Sequence, residues 1–466
     1  MISPTSFSPD DGGAYYNGTV EFLRSNRPAY PDVTTEVTSG PGWSMTYTHV
    51  ISPPLWWYYY RAVCPCSETV TAYPSAYGWS DYYAISINLD QGATPPPLPI
   101  QPGPGGGGGI GPGSKPGLGK KISAGGWHSL AAKLDGTVWA WGQNSEGQLG
   151  DATTNQHLTP FPANITGVSA VSAGDVHSLA LKSDGTVWAW GRNFYGQLGD
   201  GSTITKSNPV QVLNLTDVIA ISAGAYNSYA VKSNGTVWAW GANAYGQLGN
   251  GTMSFGSSVP VQVAIAGAVD VSAGYTECLA LKTDGTVWGW GRNQFGQIGD
   301  GTTTGRLTPV QTTNLTSVSA ISLGWYHSLA LTTNGTVFGW GYNGWGSVGD
   351  GTDISRLIPV LVLTSVSAID AGFAHSLAVK SDGTPWAWGH NGEGQLGDNS
   401  MINRFSPVPV SGLVDVNAMS GGTYHTLGVT INRSLRAWGS NFYGQLGDGT
   451  TNQRLTPVPL SGGFGL

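Results

Sequence analysis

A phrase of about 50 residues returns seven times along this chain, and nothing else in the sequence limits its fold as strongly. In its clearest copy it reads Ser172-Ala173-Gly174, then His177-Ser178-Leu179-Ala180-Leu181, Asp184-Gly185-Thr186-Val187-Trp188-Ala189-Trp190-Gly191 and Gly196-Gln197-Leu198-Gly199. The glycine of its opening triplet falls at Gly125, Gly174, Gly224, Gly274, Gly324, Gly372 and Gly422, so successive copies are 49, 50, 50, 50, 48 and 50 residues apart. Such regular spacing leaves almost no room for insertions between copies.

Within one copy, His177 to Lys182 alternates in polarity, Ser183-Asp184-Gly185 breaks it, and Thr186 to Trp190 is again β-branched and aromatic. That pattern is a β-hairpin. Asp-Gly or Asn-Gly at Asp135, Asp184, Asn234, Asp284, Asn334 and Asp382 predicts a type I′ turn, and only the seventh copy departs, with Asn432-Arg433. Strands such as Pro209 to Leu213 and Val218 to Ser222 bring the count to four per copy, the content of one propeller blade. A blade cannot bury both faces alone, and closing the array into a ring removes the terminal faces an open stack would expose. The fold class expected is therefore all-β: a seven-bladed β-propeller over residues 121–466. Because the repeat region enters at Ile122 without a preceding Pro-Val strand, the tail Leu455 to Leu460 is expected to supply that strand to the first blade.

These repeats resemble the regulator of chromosome condensation repeat family, on Ser178-Leu179-Ala180-Leu181, Asp184-Gly185-Thr186-Val187-Trp188 and Gly196-Gln197-Leu198-Gly199. The resemblance covers about three quarters of the chain and implies the propeller fold; function does not follow from it, because such propellers serve unrelated partners. Nucleotide exchange on a small GTPase, one activity of the family, is disfavoured because the spacing leaves no place for an inserted β-wedge and the basic N-terminal tail is missing. Ultraviolet-B perception is disfavoured because the family ties it to an Arg-rich dimer face.

Residues 1–92 lack the repeat. Alternating aromatic runs such as Trp56 to Ala62 and Tyr82 to Ile87 predict a small β-sandwich there, and Trp57 to Val63 with Gly78-Trp79-Ser80-Asp81-Tyr82 resemble late strands of a fibronectin type III domain. Residues 93–120 are dominated by Pro and Gly and are expected to act as a tether. The start MISPTSFSPDDGG has neither a basic nor an apolar signal region, and no apolar stretch is long enough to span a membrane.

Composition narrows function further. A net charge of −7 with 20 thinly spread Lys and Arg offers no stripe to neutralise phosphates, so nucleic acid is not an expected partner. Cys64, Cys66 and Cys278 form no disulfide framework, and a metal pair at Cys64 and Cys66 lacks a second pair of ligands. The recurring His128, His177, His327, His375 and His425, with Asn227 and Glu277 in the other copies, are read as polar structural residues bonding the backbone of their own blades, not as metal ligands. Trp139 with Trp141, and Trp188 with Trp190, face one side of a strand and are read as core. Asn-x-Ser/Thr sequons such as Asn234 and Asn334 are read as turn chemistry. No nucleophile elbow, phosphate loop or isolated acid pair is present, so no enzyme, catalytic residue, metal or cofactor is expected.

Recognition residues are sought where the copies disagree. The two positions between the glycine and the histidine vary most and carry Trp127, Tyr226, Tyr275, Trp325, Tyr326, Phe373 and Tyr424, a set expected to decorate one rim and to suit a protein or glycan ligand. The alternative is that they plug the rim or pack between blades. A second, more regular set, Tyr195, Tyr245, Phe295, Trp345 and Tyr443, is assigned to packing. The leading functional expectation is a non-enzymatic structural or adhesive protein, a bacteriophage virion component with the propeller as binding head and the N-terminal unit contacting an assembly. The alternatives are a secreted cell-surface adhesin and an intracellular partner-binding regulator, so the expected location is a virion or the cell exterior.

Overall fold

A computed structural model describes residues 121–466, together with the backbone of three N-terminal strands, Thr19–Arg24, Tyr58–Val63 and Thr69–Ala72. The chain divides into two units, Met1–Gly103 and Pro104–Leu466. In the first, the three strands form one antiparallel sheet, and the run expected over Trp56 to Ala62 contributes Tyr58–Val63. The remaining N-terminal expectations, namely the sandwich, the strand at Tyr82 to Ile87, the tether and the pair Cys64 and Cys66, lie outside the described residues.

The second unit holds seven four-stranded antiparallel sheets, each made of strands consecutive in sequence. Blade 2 is representative: Val168–Ala173, His177–Lys182, Val187–Gly191 and Lys206–Gln211. Hydrophobic periodicity of two explains the pairing, since Leu179, Leu181, Val187 and Ala189 all turn into one buried cluster shared with the next blade. The first strands pack against one another around the centre of the ring, while the fourth strands are the most exposed. Each blade contributes one fully buried tryptophan, from Trp141 and Trp190 through Trp438. Its partner two residues earlier, such as Trp139 or Trp188, is only half-buried, so the expectation of two core tryptophans per blade holds for one of them. Lys133, Lys182 and Lys380 lie 4.3–4.5 Å over the half-buried rings, where the lysine stem covers the indole and the ammonium reaches solvent.

Blade 1 corrects the expected closure. It has its own fourth strand, His157–Pro162, paired with Val138–Gly142, whereas Arg454–Pro459 pairs with Leu435–Gly439 and completes blade 7. The repeat is phased so that each Pro-Val strand ends the blade whose hairpin precedes it, and no strand is exchanged across the seam. Side-chain packing and backbone bonds from Thr423 N to Gly125 O and from Gly449 N to Leu158 O close the ring instead, with the following segment laid along the joint. Phe464 and Leu466 pack on a cluster that includes Ile122 and Trp141 of blade 1 and Leu435 of blade 7. Phe464 sits 5.3 Å from the Trp139 ring, and the Leu466 amide donates to the Arg433 carbonyl.

The hairpin turns also differ from expectation. Gly136 has φ 82° while Asp135 keeps negative φ, and the bonds Gly136 N to Lys133 O and Lys133 N to Thr137 O define a type I turn closed by a glycine bulge, not a type I′ turn. The Asp135 carboxylate fixes this form by accepting from the Thr137 amide and hydroxyl. In blade 7 Arg433 takes the glycine's place and its left-handed conformation, at φ 67°.

Candidate functional site

An antiparallel order of four strands puts the connections between strands one and two, and between strands three and four, on the same face of the ring. The Gly-x-x-His loop and the Asn-x-x-Gly-Gln-Leu-Gly loop therefore meet there, blade after blade, forming a crown.

Beneath the crown lies a repeated clasp between blades. His128 Nε2 lies 2.9 Å from Ser178 Oγ, Ser178 donates to the Gln148 carbonyl at 2.8 Å, and Trp190 Nε1 donates to the same carbonyl at 2.8 Å. Across the seam, His425, Ser129, Gln445 and Trp141 repeat the arrangement. The histidines thus bond the next blade's hydroxyl, not their own backbone as the sequence suggested. A serine has one proton and gives it to the carbonyl, so the imidazole must donate from Nε2. Burial holds His128, His177, His327 and His425 near pKa 3 and keeps them neutral. A second set of bonds links the first strands. Ser123 accepts from the Ala173 amide, and this repeats around the ring to Ser420, which accepts from Ala124. In blade 6 the serine is replaced by Asp370, which accepts from the Gly421 amide and from Ser322; burial raises its pKa to about 7.

The seven rim residues do not all decorate the surface. Trp325 is fully buried, Trp127, Tyr326 and Phe373 are nearly so, and only Tyr226, Tyr275 and Tyr424 are half-exposed. They meet from each blade to its neighbour: Tyr275 stacks on Trp325 at 4.4 Å, Trp325 meets Phe373 at 4.4 Å, Phe373 meets Tyr424 at 5.6 Å, and Tyr424 meets Trp127 at 5.5 Å. Large rings in blades 4 to 6 face Thr423, Gly126, Asp175 and Ala225 in blades 7 to 3, so the packing is lopsided. Several polar atoms in this layer are buried without a hydrogen bond, among them Trp127 Nε1, Trp325 Nε1, Thr423 Oγ1 and Asp175 Oδ1. Burial raises the Asp175 carboxyl well above the usual range, with Arg192 opposing.

The second aromatic set, assigned to packing from its regularity, is split as well. Tyr195, Phe295, Trp345 and Tyr443 are half-buried and lean on the inner set, as in the contact of Tyr195 with Tyr226 at 5.5 Å. Tyr245 is 43% exposed, and the neighbouring Phe194, Phe255 and Phe442 are 54%, 64% and 57% exposed. Sequence reasoning missed those three phenylalanines. The signal for Phe255 was available: blade 3 reads Asn250-Gly-Thr-Met-Ser-Phe-Gly256 where blades 4, 5 and 7 carry Asp-Gly-Thr followed by Arg. Among the described residues, no group of three or more His, Cys, Asp or Glu side chains is placed to hold a metal ion.

Residues 256–464 match the RCC1-like domain family. Regulator of chromosome condensation (RCC1) repeats match at 135–181 and 184–231, and a second RCC1 repeat family at 120–148, 168–197 and 218–247. No match is found among curated proteins. Among solved structures, Prp20p of Saccharomyces cerevisiae, studied for its binding to Gsp1p and histones, shares 22% identity over 71% of this chain and 87% of that one, with a TM-score of 0.63. Yeast RCC1 (Prp20) with Kap60 bound shares 22% identity over 71% and 85%, with a TM-score of 0.64. Human WBSCR16 shares 25% identity over 70% and 98%, with a TM-score of 0.59.

Proposed function

The propeller of this chain belongs to the RCC1 repeat family, and from that premise we propose that it is a non-enzymatic module that binds a protein partner through the crown. The observation that carries this reading is the contrast between the clasp beneath the crown, exchanged only in blades 3 and 4 apart from one Ser-to-Thr change in blade 7, and the aromatic layer above it, which varies from blade to blade and is part-exposed. A scaffold shared by all blades needs no such variation. Exposed Phe and Tyr beside Arg are the residue types that dominate the binding energy of protein interfaces. Yeast Prp20, whose propeller has the same fold, has been studied for binding Gsp1p and histones and in complex with Kap60, which supports a partner-binding role over a display head. The virion and adhesin readings drew on the N-terminal unit and tether, outside the described residues, and stand second. Affinity purification from the native source tests the proposal. A protein retained by the wild-type chain is expected to be lost by a Phe194→Ser/Tyr245→Ser variant and kept by Asp184→Ser/Asp284→Ser on the opposite face; the reverse pattern contradicts it.

A further inference from the structure

Blade 3 departs from the repeat more than any other blade, and its departures converge on one side of the crown. Its fourth strand, Ser254–Gln262, is the longest in the ring, and Gly256 stands where four other blades carry an arginine paired with an aspartate. The extra length carries Phe255 over the seam to blade 2, where it meets Phe194 at 5.5 Å and Tyr195 at 5.0 Å. Phe194 and Phe255 thus bury little of each other and stay 54% and 64% exposed, two apolar rings side by side on the surface.

Two arginines bring positive charge to the solvent side of this shelf. The Arg192 guanidinium lies 5.9 Å from the Tyr226 ring centre and Arg292 lies 4.8 Å from that of Tyr245, both half-buried at the shelf's inner edge. The carboxyls nearest them, Asp175 and Glu277, are buried below. Both carboxyls are buried beneath the crown and out of reach of a docked ligand, whereas the two guanidinium groups keep part of their surface in solvent. Glu146 in the adjoining loop of blade 1 bounds the shelf on one side. A cationic, aromatic patch on a chain of net charge −7 is complementary to an acidic ligand, not to a basic one.

We propose that the shelf of Phe194, Phe255, Tyr245, Arg192 and Arg292 docks an acidic protein segment that carries an aromatic or long aliphatic side chain. The inference rests on the protein-binding reading above. The apolar side chain lies between the two phenylalanines, and the flanking carboxylates pair with the guanidiniums, which present planar forks of donors.

The test is selection of random twelve-residue peptides, displayed on filamentous phage, against the full chain. The expected result is enrichment of peptides with Asp or Glu beside Trp, Phe or Leu. Synthetic versions should bind Arg192→Gln/Arg292→Gln and Phe194→Ser at least about tenfold more weakly than wild type, and wild-type binding should weaken as salt is raised. Arg192→Lys/Arg292→Lys should retain part of the affinity, and a melting temperature near that of wild type marks each loss as one of binding and not of folding. Selected peptides that are neutral or basic, yet depend on Phe194, overturn the acidic-segment inference and leave protein docking standing. Peptides indifferent to every crown substitution, or no selected peptides, overturn both.

Discussion

At the scale of single residues, the clasp between blades explains why seven sheets hold one another. The Gln148 carbonyl accepts from a serine and a tryptophan of the next blade, the serine is held by the preceding histidine, and most junctions of the ring repeat this arrangement. Ser178→Ala would leave a buried imidazole N–H without an acceptor, so we expect a loss of about 1–3 kcal/mol, measured as a lower urea midpoint. Ser178→Thr should be close to neutral, since Thr426 fills the same role in blade 7. Blades 3 and 4 show the exchange chemistry permits: Cys278 replaces the serine, and Tyr229 reaches the Gln247 carbonyl in its stead. Arg433→Gly should stabilise the seventh hairpin by about 1 kcal/mol, because the left-handed backbone strains any residue with a Cβ. The clasp was only half legible in the sequence. The recurrence of histidine announced a polar structural role, but its partner sits about 50 residues away in the next blade, and no local pattern names it.

At the scale of elements, the seam between blades 7 and 1 is where the ring could open. Four-stranded blades of uninterrupted sequence were legible from the repeat alone; the phase of the repeat was not, because the Pro-Val strand reads equally well as the start of one copy or the end of another. With Arg454–Pro459 paired inside blade 7, the seam is held by the same contacts as other blade junctions, among them the bonds from Thr423 N to Gly125 O and from Gly449 N to Leu158 O, and by the added segment around Phe464. Phe464→Ala is therefore expected to cost about 1–2 kcal/mol, less than the roughly 3–5 kcal/mol of a fully buried phenylalanine. Hydrogen exchange should then rise first in Ile122–Ala124 and Leu435–Gly439, and exchange that rises uniformly over all blades would refute a seam-local role. The rim aromatics illustrate a second limit of the sequence. Variation between copies located the crown correctly, yet whether a ring points outward or across the mouth depends on the size of its neighbours in other blades. That is why Trp325 and Phe373 are buried while Phe194 and Phe255 are exposed.

At the scale of the whole ring, its titratable groups set a pH of greatest stability. The clasp histidines are held near pKa 3, below their unfolded value, so their contribution is lost as pH falls from the ordinary histidine range. Asp370 at about 7 and Glu277 at about 8 are raised above their unfolded values, so their contribution is present at acid pH and lost as pH rises through those values. The melting temperature should therefore peak between about pH 6 and 7 and fall on both sides. Asp370→Ser, the residue of the other six blades, removes a group whose loss of its proton between about pH 4 and 7 opposes the gain from the histidines, so the melting temperature of the variant should rise more steeply with pH over that range than that of wild type. The fold at this scale was legible almost in full, since a seven-fold period specifies a ring. The proposed docking face was not, because its chemistry arises only where blades 2, 3 and 4 meet.

The central claim is that one face of this ring, the crown, receives a protein partner. Hydrogen exchange of the full chain with a protein captured from its native source tests this most directly. The account predicts slowed exchange in residues 190–196, 225–226, 242–246 and 252–256, with the hairpin turns at 134–136, 184–185 and 284–285 unaffected. Protection confined to those turns would place the partner on the opposite face and contradict the account.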